Sequence, residues 1–230
     1  MQLQHIQIAL FPEQPFAPQW TLLNTQLNEH FQLSGNTQLL SIENLPADFP
    51  RITAENDDMA FIFSAEKLSV YWKARENTLP GGILEDLRTI LDILRQLAPE
   101  ARYWRMGYIA AFSYATPNPH EFIFEHFYGD TVRDVEGFSR ESDMATVTFR
   151  RSYEELQNVD INTFFKFTAG ERNVAIEFDM NTTPSANNRE RVTHFTRREI
   201  RQFFEIAQEE INRENFSRYF AIDELSAEGA

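Results

Sequence analysis

The chain has 230 residues, 42% of them hydrophobic, a formal net charge of −14 and no cysteine. That length supports a substantial core in one large domain or two small ones. The missing cysteines exclude disulfides, thiolate metal sites and cysteine nucleophiles, and the acidity repels a polyphosphate backbone and so argues against direct nucleic-acid binding.

No run of about 18 apolar residues is present, and the start, MQLQHIQIALF, lacks a basic region and a small-residue cleavage site before Pro12. The expectation is therefore a cytoplasmic protein with no membrane association. Residues 3 to 11 alternate, with Ile6, Ile8 and Leu10 against His5 and Gln7, and predict a strand ending at Pro12. Trp20, Leu23, Leu27 and Phe31 recur at spacings of three and four, predicting a helix over 18 to 33 that Gly35 and Asn36 stop. A short strand at 37 to 45 and a proline-bearing loop from Pro46 to Asp58 lead to a hairpin at 59 to 64 and 67 to 74. After Gly81 and Gly82, the positions Ile83, Leu87, Ile90, Leu91 and Leu94 form a wide apolar stripe, a helix ended by Pro99.

The second part repeats this order. An aromatic strand at 102 to 115 precedes a helix at 119 to 128, opened by Asn118, Pro119 and Glu121 and stopped by Gly129. Strands follow at 144 to 153, 160 to 168 and 172 to 180, with Ala169 and Gly170 placed at the hairpin turn. Thr196 and Glu199 form a capping-box pattern for a last helix bearing Ile200, Phe203, Phe204, Ala207 and Ile211 on one face. Shifted by 104 residues, Phe61, Phe63, Ala65, Val70, Asn77, Thr78 and Pro80 meet identical residues, and at a shift of 101, Ile8, Ala9 and Phe11 meet Ile109, Ala110 and Phe112.

These patterns predict an α+β fold of two pseudo-symmetric β-α-β-β-β-α halves, residues 1–100 and 101–220. The halves form one domain with an insertion near 184 to 195 and an acidic tail at 221–230. Joined edge to edge, the halves give a mostly antiparallel curved sheet with helices packed on one face. This element order resembles the duplicated TATA-box-binding-protein-like saddle. The resemblance implies a fold and not DNA binding, because the positive charge such a saddle needs is missing. The segments Arg105-Met106-Gly107-Tyr108 and Phe203 to Ile211 are also similar to an uncharacterised, sporadically distributed bacterial family of this size, a resemblance that supplies no functional residue.

Candidate chemistry is sparse. His120, Glu121, Glu125 and His126 crowd one predicted helix, a possible metal set, yet the two histidines stand six residues apart and off alignment, unlike a His-Glu-x-x-His pair. A solvated polar face is the favoured reading. Arg189, Arg191, Arg197, Arg198 and Arg201 are opposed locally only by Glu190 and Glu199, and cations at a helix start oppose its dipole. They call for nearby acids within the protein, from a second subunit, or from a bound anion or partner. No nucleophile elbow, phosphate loop or dinucleotide fingerprint occurs, so no cofactor is expected. The leading expectation is a non-catalytic binding or interaction protein in a bacterial or phage-related setting, self-associating or with a protein partner. The rivals are an enzyme with a polar site near 119–128 and an acidic nucleic-acid mimic that binds a basic protein.

Overall fold

The computed structural model describes residues 1–33, 37–40, 45–75, 81–129, 141–156, 159–182 and 194–211. Nine strands make one antiparallel sheet: β1 (Gln2–Pro12), β2 (Gln38–Leu39), β3 (Ile52–Glu55), β4 (Met59–Phe63), β5 (Leu68–Lys73), β6 (Tyr103–Ala115), β7 (Met144–Tyr153), β8 (Val159–Ala169) and β9 (Asn173–Asn181). Their order, β2-β3-β4-β5-β1-β6-β9-β8-β7, reads outward from a central β1–β6 seam in the same sense on both sides. The curved sheet is open rather than closed, and the two-half α+β architecture expected from the sequence is the one observed.

Four helices, α1 (Trp20–Phe31), α2 (Ile83–Leu97), α3 (Pro119–Phe127) and α4 (Arg197–Glu210), lie on one sheet face. Contacts from each helix fix that side. Phe31 of α1 meets Phe61 at 5.3 Å between ring centroids, Phe127 of α3 meets Phe167 at 4.6 Å, and Phe204 of α4 meets Tyr108 at 6.3 Å. From α2, the Asp86 carboxylate accepts the Trp72 indole N–H at 2.9 Å. The strand positions that touch helices share one parity along each strand, since successive side chains alternate faces. Ile6, Ile8, Val70, Tyr108, Ile176, Phe178 and Phe165 belong to a single core that runs through both halves. Burying each large side chain contributes about 1.5–3 kcal/mol.

Local signals explain the helix ends. Thr196 Oγ1 accepts the Glu199 N–H while the Glu199 carboxylate accepts the Thr196 N–H, so the capping box forms as expected. At α2, Gly82 takes φ 82°, a left-handed conformation that suits a residue without Cβ. Helix α1 ends earlier than the sequence suggests, because Gln32 already adopts φ 52° and its N–H bonds back to Asn28 O; Gly35 and Asn36 lie outside the described residues.

Three expectations are corrected. The stretch 46 to 58 is not all loop: Ile52 and Ala54 are buried against alternating Thr53 and Glu55, which makes β3. Pro46 and Pro50 masked this four-residue alternation. Among the described residues the first half therefore has one strand more than the second. Gly170 closes the β8–β9 turn through its N–H to Asn173 O, whereas Ala169, also expected in the turn, is the last residue of β8 and pairs with Val174. The hairpin turns thus begin at Ser64 and Gly170, 106 residues apart, and not 104. The match at a shift of 101 also fails as a structural equivalence, since Ile8 faces the core while Ile109 faces away. An odd shift always exchanges the two faces of a strand. The predicted insertion near 184 to 195 and the acidic tail fall mostly or wholly outside the described residues.

Candidate interaction surface

The face opposite the helices is covered by none of the described elements. Strand registers define its rows. One row runs Ala60, Tyr71, Gln7, Ile109, Asp179, Phe164, Thr148 across seven of the nine strands. The next runs Ile62, Ser69, Ala9, Gly107, Asn181, Asn162, Arg150. Small residues at the seam make a low floor, and Tyr71 and Ile62 on one side and Phe164 on the other stand above it.

The charge on this face is balanced in a chain of net charge −14. Its strands carry Lys73, Arg105, Arg150 and Lys166 against Glu55, Asp160, Glu177 and Asp179. Most of these form pairs. Lys73 Nζ lies 3.2 Å from Glu55 Oε2, Arg150 pairs with Asp160, and Lys166 stands opposite Glu177 in the ladder. Asp179 accepts a 3.1 Å hydrogen bond from Asn181 Nδ2.

Partial burial at the seam shifts three ionisable groups. Desolvation raises the Asp179 pKa, opposed by the Asn181 hydrogen bond and the nearby Arg105 and Lys67 charges. It lowers the Lys67 pKa, with Arg105 adding to the effect and Asp179 opposing it. It also lowers the His5 pKa against the pull of Glu177. The Lys67 ammonium and Arg105 guanidinium both sit over the Phe11 ring, 5.7 and 4.8 Å from its centre. Gln7 Nε2 donates to Ser69 Oγ at 3.2 Å and both residues are buried despite facing the open side. The arrangement is an internally paired polar surface, partly buried at the seam. The only sequence trace of this surface was the odd-numbered partners of the apolar alternation in β1 and β6, which look unremarkable singly.

The singled-out helix residues do not converge. His120 Nδ1 lies 3.0 Å from Asp143 Oδ1, and Glu121 Oε2 accepts Asn118 Nδ2 at 3.1 Å. His126 stacks on Phe122, with ring planes 4° apart, and Glu125 stands beside Gly129 at the helix end. Among the described residues, no three His, Cys, Asp or Glu side chains are placed to hold a metal ion.

The arginine group divides. Arg197 reaches Asp92 of α2 at 2.6 Å, Arg201 Nε lies 3.1 Å from Glu205 Oε1 one turn on, and Arg198 is exposed. Arg189 and Arg191 lie outside the described residues. Among the described residues no helix is long and apolar enough to cross a membrane.

No family model matches the chain. No curated protein matches it either. Among solved structures it is similar to the Methanococcus jannaschii TBP, with 13% sequence identity over 83% of this chain and 91% of that one and a TM-score of 0.25. An overlap that loose carries no argument, and the fold described above rests on the strand pairings themselves.

Proposed function

We propose that this chain is a non-catalytic interaction protein of a reducing cytoplasm that meets a protein partner, in the first instance a second copy of itself, through the surface or an edge strand of its sheet. The observation that carries this reading is the balanced charge of the uncovered sheet face. Two bodies of charge −14 repel at long range, so a contact between them is favoured where acid is paired or absent, as it is on this face. Half-buried Tyr71, Ile109 and Phe164 supply apolar area there.

Sedimentation equilibrium at rising ionic strength tests it. Screening weakens the long-range repulsion over a Debye length of about 10 Å at 0.1 M salt, so self-association should tighten as salt is added. A monomer at every salt and protein concentration would remove the self-association reading. Association that weakens with salt would point instead to a basic partner.

A further inference from the structure

The two ends of the sheet differ. At one end β2 has two residues, whereas at the other β7 has ten and, among the described residues, pairs only with β8. The Ala169 N–H bonds to Asp143 O at 2.9 Å in the same ladder as the Ala145–Phe167 and Val147–Phe165 pairs. Hydrogen-bonded pairs alternate along an antiparallel ladder. Odd-numbered residues of β7 therefore bond to β8, and the backbone N–H and C=O groups of Thr146, Thr148, Arg150 and Ser152 point outward, as do those of Met144, whose C=O accepts Ser142 Oγ at 3.1 Å.

Exposed edges are normally blunted by charge, proline, bulges or shortness. Residues 144 to 149, Met-Ala-Thr-Val-Thr-Phe, have no charged side chain, glycine or proline, and the β7–β8 register runs without a shift. Threonine, valine and phenylalanine all favour extended backbone. The strand's far end is braced: Arg150 pairs with Asp160, and Glu210 Oε1 of α4 takes hydrogen bonds from Arg151 Nη1 and the Tyr153 hydroxyl, each 3.1 Å long.

Resting on the self-association reading above, we propose that β7 is where it happens: two copies pair β7 with β7 antiparallel about a two-fold axis and continue one sheet through both. The unequal edges favour a two-fold pair over a head-to-tail array, because the other edge, β2, is too short to complement ten residues, whereas a two-fold pairing joins like to like and closes. The strand's only charges are Arg150 and Arg151, which set it apart from the acidic remainder. A register centred on Thr148 keeps like charges apart, placing Thr146 opposite Arg150 and Met144 opposite Ser152 of the second copy. The balanced open faces then run on across the join.

The test uses the full chain and its Thr146→Lys/Thr148→Lys double variant, whose new side chains sit on exposed positions of the open face. Sedimentation equilibrium should show the dimer weakened about tenfold or more by like charges facing each other across the pair. Hydrogen exchange on the unmodified chain is the second measurement. The amides of Thr146, Thr148 and Arg150 should slow as concentration rises through the dimerisation range. A dimer indifferent to the lysines, with exchange at those amides independent of concentration, overturns the β7 pairing while leaving self-association standing. A monomer throughout overturns both.

Discussion

The two halves of the sheet reach the same layering with unequal means. The first spends five strands and tapers to a two-residue edge, whereas the second uses four and stops at a ten-residue one. Both place an aromatic residue three positions ahead of the hairpin turn, Phe61 before Ser64 and Phe167 before Gly170, fully buried in each case. What differs lies at the periphery. The two halves thus keep their core chemistry in step while their edges diverge.

The largest effect is expected at those equivalent core positions. Phe61→Ala and Phe167→Ala should each cost about 3–5 kcal/mol, read from denaturant unfolding, in one cooperative transition because a single core spans both halves. Two separate transitions in either variant would show that the halves are energetically independent and break the comparison.

A smaller loss is expected from Glu199→Ala, which removes the reciprocal cap of α4 and the buried carboxylate that accepts Thr196 N–H at 2.7 Å. About 1–2 kcal/mol should be lost. The first half lacks an equivalent cap, since α1 and α2 start without a side-chain capping bond. Replacing Gln19 with alanine should therefore leave the thermal midpoint nearly unchanged, and a comparable loss there would void the asymmetry.

Asp179→Asn should raise the thermal midpoint slightly at neutral pH. Desolvation raises the carboxyl's folded pKa above its unfolded value of 3.8. The folded state therefore holds the proton more tightly, so the stabilisation is complete below the unfolded pKa and is lost as pH rises through the folded one. The amide oxygen can still accept from Asn181, so the advantage of the variant should shrink as the solution is acidified. A gap that widens toward low pH would contradict the assignment. Smallest of all, Arg197→Ala should cost under about 1 kcal/mol, because its pair with Asp92 is partly exposed. Unfolding at high salt should erase most of that difference.

Much of this layout was legible in the chain because core strands and long helices declare themselves by period. The limits of β7, the start of α4 with its capping box and the α2 stripe all follow from local pattern. Strand β3 did not, since four residues just after Pro46 and Pro50 offer too little alternation to outweigh turn signals. The repeat was detectable, but its spacing was misjudged: identities at Phe61 and Val70 record shared composition of two core faces, and only ladder pairing fixes which residues are equivalent. The open face was the least legible. Gln7, Ser69 and Asp179 are distant in sequence, and their common surface exists only once β5, β1, β6 and β9 lie side by side.

Each half begins with the strand that joins the other, β1 against β6. A chain ending after α2 would leave β1 as a bare inner edge, with the hydrophobic side of that strand half uncovered. The first half alone would need a second strand along that line to cover it, and β6 is that strand.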